Sequence, residues 1–358
     1  MKQHAYFVSA VLALALFVPL SAQEKGGVDL HGPYDVVENW LKPVEEGWLV
    51  HTVAVFAESP DRVFVALTGV TPQKNAPPGL QAFDPKVPGA KVDHQLYVVN
   101  RNGVVTEDWS NQWRDLFGSM HDVSTNPYDP DKHIWVVDRA SQQVLKFTHD
   151  GTQLVTSLGE KGVAGNDDKH FGRPTDIAWF PDGTFFVSDG YDNKRVVKFD
   201  KNGRFLMTWG SEGKGPGQFT NQVHGIAVDA RRRVYVVDRG NARIQIFDEN
   251  GRYLDQWPGM VSPTRIWITQ DQFAWVSDGG AQRLVKYDLS GKLLTYFGTA
   301  GTFQGGMAAP HDFAVDSEGS LYVSNGFNHR IDKYVPKKNA DRSRLVGQRF
   351  VDKAGGTR

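Results

Sequence analysis

The sequence repeats itself. The segment GRPTDIAWFPDGTFFVSDGYDNKRVVKFDKNGRFLMTWG at 172–210 is matched by NQVHGIAVDARRRVYVVDRGNARIQIFDENGRYLDQWPG at 221–259. Further copies occupy 261–298 and 308–337, and looser ones lie at 118–159 and at 48–69 continuing at 94–109. Each copy holds about four alternating apolar runs, the period-two signature of strands. Between the runs stand PDG, KNG, ENG and LSG, whose glycines supply the positive φ that hairpin turns demand. A four-stranded unit of roughly 40–45 residues is the size of one propeller blade. A lone blade cannot bury both of its faces, so the repeat predicts an all-β, six-bladed β-propeller closed around a central channel.

The sixth copy stops after Lys333-Tyr334 without a last strand, whereas YDVVENW at 34–40 resembles the final strand of other copies, such as RFLMTWG. We therefore expect an N-terminal strand to complete the last blade, leaving no exposed sheet edge. The domain plan is a propeller over 35–336, a short extension at 23–34 and a basic segment at 337–358 read as a solvated tail. The insertion VTPQKNAPPGLQAFDPKVPGAKVD at 70–93 is long for a hairpin, so it either caps a channel end or forms a surface loop.

The chain opens MKQHAYFVSAVLALALFVPLSAQEK, with Lys2, an apolar run at 5–20 and the small pair Ser21-Ala22. Residues 1–22 read as a secretory signal peptide rather than a spanning helix, which places the mature protein in the periplasm or outside the cell. There is no cysteine, so core packing and ring closure must replace disulfides. Forty Lys+Arg against 41 Asp+Glu leave a net charge of −1, which gives no electrostatic case for nucleic acid or an anionic membrane. A monomer is expected.

Stacking the copies on their first strands aligns His51, His121, Thr175, His224, Thr264 and His311. That strand is innermost in a propeller, so blades two, four and six present His121, His224 and His311 at alternate positions around the channel. Three converging imidazoles leave a fourth position open, the pattern of a catalytic zinc. Their separations along the chain match no linear zinc motif; only the repeat brings them together. The plainer alternative is a set of polar channel histidines bonded to water. His51 interrupts the alternation and is assigned no ligand role, while His94, His133, His149, His170 and His329 lack the register and are read as surface residues.

A second register ends the second strands: Asp138, Asp189, Asp238, Asp278 and Asn325. These are read as structural, accepting turn amides, with Arg195, Arg243 and Arg330 tying blades together. The residues that break the repeat are Arg139, Tyr191 and Arg239 on blades two, three and four, which should rim one channel mouth. Arginines beside an open metal site can hold a carboxylate or oxyanion. Neighbouring cations favour a phenolate, which makes Tyr191 a candidate general base. Aromatic packing and inter-blade ion pairs are the structural alternative for all three.

Asp238-Arg239-Gly240-Asn241-Ala242-Arg243-Ile244 and its cousins resemble the NHL repeat of six-bladed propellers. With its three in-register histidines, SDGYDNKR, VDRGNARIQ and PHD, the chain is similar to peptidyl-α-hydroxyglycine α-amidating lyase, most densely at 171–247 and 310–334. The resemblance implies cleavage of a C-terminal α-hydroxyglycine into a peptide amide and glyoxylate, with a peptide C-terminus or similar small molecule as substrate. It implies zinc on His121, His224 and His311, Tyr191 taking the hydroxyl proton, and Arg239 holding the carboxylate. It further implies calcium held by Asp312 with the backbone carbonyls of Val53 and Val123. The sequence departs from the family in blade one, where FVALTG puts Thr68 near the place of a second substrate arginine; Arg139, one blade over, is the candidate replacement. Ala309 stands where the family has methionine before PH, and the family's disulfides are absent.

Two other readings stay open. A metal-dependent hydrolase of the lactonase kind would use channel carboxylates, Asp312 with Asp122 and Asp176 in register. A non-catalytic exported scaffold would bind protein or glycan on one propeller face and leave the histidines without metal.

Overall fold

Alternation along the strands sets the architecture. In blade one, Phe64 and Ala66 pack towards blade two, whereas Val63, Val65 and Leu67 pack towards blade six. A sheet apolar on both faces is stable only between two neighbours. The computed structural model describes residues 30–352; the expected signal peptide lies outside the described residues. Six four-stranded antiparallel sheets are present, and the inner strand of each packs against the inner strands of its neighbours until the ring closes. Six apolar clusters fill the six gaps between blades, so the core is a ring of wedges rather than one central mass.

Ring closure follows the expected route. Tyr34–Val37 pairs antiparallel with Arg330–Pro336, Tyr34 opposite Pro336 and Val37 opposite Lys333, and so becomes the outermost strand of blade six. Tyr34 is fully buried between Phe297 and Tyr334, and its hydroxyl accepts the Val346 amide at 2.8 Å. The hairpins carry the anticipated turn chemistry. Asp248 Oδ1 accepts the amides of Asn250 and Arg252, and Gly251 sits at φ +76 with the Trp209 ring 2.7 Å from where a Cβ would be.

Within the segment read as a solvated tail, the described residues 337–352 pack against the propeller instead. The Phe350 amide donates to the Ile268 carbonyl at 2.8 Å, Gln270 pairs with Gln348, and the Trp267 indole donates to the Gly347 carbonyl at 3.2 Å. Val346 is buried, and the Arg349 guanidinium lies over the Trp179 and Trp267 rings at 5.6 and 5.9 Å. This segment therefore covers the far ends of the inner strands, where Trp179 and Trp267 would otherwise face water. Among the described residues no helix is long and apolar enough to cross a membrane.

Replacing Tyr34 by alanine removes both a core aromatic and the anchor for Val346. The expected loss is about 3–5 kcal/mol, by analogy with other buried aromatic truncations. It should appear as a lower urea midpoint at unchanged slope. An unchanged midpoint would mean that blade six closes without this residue.

Candidate functional site

The inner strands Met120–Thr125, Val223–Val228 and Pro310–Val315 deliver His121, His224 and His311 to one point on the channel axis. Their ring centroids are 4.6, 4.8 and 4.9 Å apart, and one nitrogen from each falls within 4.8 Å of the others. Each Nδ1 lies 2.7 Å from a backbone carbonyl of the following blade: His121 on Thr175, His224 on Thr264, His311 on Val53. A carbonyl only accepts, so Nδ1 carries the proton and the Nε2 lone pair is left for the axis. Burial pushes the His121 and His224 pKa values well below the ordinary range, and that of His311 down to about 3. Neutral imidazoles of fixed tautomer, open on one side, are what a zinc ion requires of its ligands, so the residues present fit that ion.

The same carbonyls correct the register of blade one. Val53 accepts from His311 as Thr175 and Thr264 accept from their histidines, so Val53, not His51, is the channel residue of that blade. Counting back from the hairpin gives the same answer, since Ala57 pairs with Val63 as Val315 pairs with Leu321. The inner strand of blade one, Trp48–Ser59, begins early and carries His51 above the channel. There its Nε2 lies 2.9 Å from Thr71 Oγ1, and its ring meets His329 at 4.6 Å and Phe83 at 5.6 Å. His329, expected at the surface, is partly buried and donates from Nε2 to the Leu80 carbonyl at 2.7 Å.

Above the histidines the three repeat-breaking residues share one rim. The Tyr191 hydroxyl lies 3.3 Å from Nε2 of both His121 and His224. Arg239 donates through Nε to Ser262 Oγ at 2.8 Å, and its Nη1 is 3.3 Å from His224 Nε2. Arg139 reaches Ser119 Oγ at 3.3 Å and stacks on the Tyr191 ring at 4.9 Å. Arg173 stacks on the same ring at 4.8 Å, a rim residue that the sequence reading missed. Its signal was positional: two residues before the channel residue the blades read Ser119, Arg173, Gln222, Ser262 and Ala309, and only Arg173 is charged. Tyr191, Arg139 and Arg239 border a cavity of about 240 Å³ that is also lined by Gln81 and Phe83 of the 70–93 insertion. The insertion therefore caps the channel mouth, its Phe83 ring lying 2.5 Å from where a Cβ on Gly69 would be.

Below the histidines the next residues along the inner strands are Ala54, Asp122, Asp176, Gly225, Arg265 and Asp312. Arg265 Nη1 donates to Asp122 at 2.8 Å and Asp176 at 2.5 Å, and its Nε is 3.2 Å from Asp312. Asp312 also accepts the amides of Val55 and Phe313 at 3.0 and 2.8 Å. Burial pushes the Asp176 and Asp312 pKa values up, and the neighbouring guanidinium pulls them back. The expected calcium set does not fit: Asp312 faces a guanidinium, and the Val53 carbonyl is taken by His311. The aspartates closing the second strands match their structural reading. Asp189 accepts the Gly172 amide at 2.7 Å and binds Arg195, whose Nη2 donates to the His170 carbonyl at 2.6 Å.

Residues 164–258 match the family described as DUF5128, 6-bladed beta-propeller. The chain is 31% identical over 254 residues to Xenopus laevis "Peptidyl-glycine alpha-amidating monooxygenase B", an alignment covering 64% of this chain and 28% of that protein. It is 31% identical over 244 residues to the Caenorhabditis elegans protein named "Probable peptidyl-alpha-hydroxyglycine alpha-amidating lyase", covering 64% of this chain and 66% of its relative. Among solved structures, a streptogramin B lyase superposes with a TM-score of 0.54 at 11% identity, covering 85% of this chain and 98% of that one, a likeness of fold. The chain is a six-bladed β-propeller with homology to the peptidyl-α-hydroxyglycine α-amidating lyases and to an NHL repeat-containing protein. It spans little more than a quarter of the Xenopus protein.

The depressed histidines predict acid lability of metal-free protein. A histidine whose folded pKa lies below its unfolded value of about 6.5 leaves stability intact above that pH and removes it as pH falls. Each buried histidine should cost about 1.4 kcal/mol per pH unit in that window, down to its folded pKa. His311, at about 3, and His51, lowered to about 4, both contribute. The melting temperature of metal-stripped protein should therefore fall steeply between about pH 6.5 and 4.5. A flat profile there would contradict a neutral, buried triad.

Proposed function

We propose that this protein is an exported lyase that divides an N-acyl-α-hydroxyglycine, free or at a peptide C-terminus, into an amide and glyoxylate. The observation that carries the reading is the Tyr191 hydroxyl held 3.3 Å from two of three convergent imidazole nitrogens, with Arg239 and Arg139 on the same rim. Zinc held by His121, His224 and His311 would polarise the substrate hydroxyl and lower its pKa. Tyr191 is the base for that hydroxyl proton. As the C–O bond becomes a carbonyl, the C–N bond breaks and its electron pair goes to nitrogen, which receives the proton from Tyr191. Atoms and electrons balance without an oxidant. Arg239 and Arg139 hold the carboxylate, and the serines that orient them, Ser262 and Ser119, fix the distance between carboxylate and base. The Phe83 cap limits water at the reacting carbon.

The homology to amidating lyases supports the class of chemistry. A lactonase-like hydrolase would need free channel carboxylates, whereas Asp122, Asp176 and Asp312 are committed to Arg265. A monomer acting in the periplasm or outside the cell, with neither nucleic acid nor membrane as partner, completes the proposal.

The test is glyoxylate release from an N-acyl-α-hydroxyglycine, before and after chelation and zinc return, with metal content measured throughout. Zinc-restored release that His224→Ala cannot match is the expected result. Tyr191→Phe should keep its zinc yet lose about 10²–10⁴-fold in kcat. Arg239→Met should lose mainly in kcat/KM. Zinc bound without release above the uncatalysed background would overturn this substrate. Absence of bound zinc would overturn the metal reading and favour a binding scaffold.

A further inference from the structure

We propose that Arg265 is the structural cation of this channel, standing where a metal ion would otherwise be needed. This role of Arg265 holds whatever substrate the channel takes. Asp122, Asp176 and Asp312, from blades two, three and six, are 1–3% exposed and all face the axis. Carboxylates gathered in a buried space repel one another strongly unless a cation lies among them. Arg265, from blade five, supplies that cation, with Nη1 on Asp122 and Asp176 and Nε beside Asp312.

The shape of the cluster suits a guanidinium better than an ion. A calcium ion draws six to eight oxygens to about 2.3–2.6 Å from a single point. Here Asp122 and Asp176 meet Nη1 at 2.8 and 2.5 Å while Asp312 lies 3.2 Å from Nε, so the oxygens are distributed over two nitrogens of a planar cation rather than gathered round one point. The carboxylates also brace the ring. Asp176 accepts the Ile226 amide of blade four at 2.8 Å, and Asp312 accepts the Val55 amide of blade one. One guanidinium thus steadies two carboxylates that each grip the next blade, including the pair across the join between last and first.

Calcium dependence should therefore be absent from the wild type and created by removing the arginine. The measurements are calcium content after dialysis and melting temperature with and without millimolar calcium chloride, on wild type, Arg265→Ala and Arg265→Lys. Wild type should retain no stoichiometric calcium and show no shift. Arg265→Ala should melt on the order of 5–15 °C lower, the cost of leaving buried charges unpaired, and calcium should recover part of that loss. Arg265→Lys, which keeps the charge but not the fork, should fall between the two. Stoichiometric calcium in wild type, or a calcium-dependent melting temperature there, would overturn the proposal even if Arg265→Ala failed to fold. So would an Arg265→Ala protein as stable as wild type. A destabilised variant with no calcium response would overturn the equivalence with a metal ion.

Discussion

The hydrogen bond from His311 Nδ1 to the Val53 carbonyl crosses the join between the last blade and the first. Its counterparts from His121 to Thr175 and from His224 to Thr264 cross ordinary blade boundaries, so all three imidazoles are aimed by the blade that follows them. Every one of these bonds requires neighbouring inner strands in correct register. For His311 that register lies at the join between blades six and one, where Tyr34–Val37 supplies the outer strand of blade six and the inner strand Trp48–Ser59 packs against Pro310–Val315. Ring closure is thus a condition of the site as well as of stability. A propeller open at that join would keep two aimed histidines and lose the third.

The repeat made the fold legible, and with it the convergence of His121, His224 and His311, since equivalent positions on a ring must face one another. It also made closure by residues 34–40 legible, because a missing strand at one end and a spare one at the other have few other solutions. Where the reading slipped, local irregularity was the cause. The early start of Trp48–Ser59 put a histidine two residues from the channel position, and matching by residue type chose His51 over Val53. Arg173 is hard to recognise from sequence because it precedes its strand at φ +64, in a position that looks like a linker. The segment after Pro336 reads as solvated because its basic residues outweigh Val346 and Phe350; the two indoles that it covers cannot be seen in a linear sequence.

Arg265 is the most instructive omission. PTRI at 263–266 reads like PTDI at 174–177 with one residue changed, and a charge reversal in a repeat invites dismissal as drift. Its meaning lies in residues 143 and 89 positions away, Asp122 and Asp176, which only the closed ring brings to it. A calcium set of Asp312 with the Val53 and Val123 carbonyls, implied by family resemblance, could not include that information.

The channel is consequently tiered by charge. Arginines 139, 173 and 239 hold the mouth, neutral imidazoles the middle, and the Arg265–carboxylate cluster the floor. On the proposed function, this gradient would favour one orientation of an anionic substrate, with its carboxylate at the rim and its adjacent carbon directed towards the Nε2 atoms. The floor matters to that orientation because unpaired carboxylates there would place negative charge directly beneath the imidazoles. They would then favour imidazolium over the neutral ligand form. By offsetting part of that charge, Arg265 favours the neutral form of His311, and so links the cation that steadies the ring to the chemistry proposed above it.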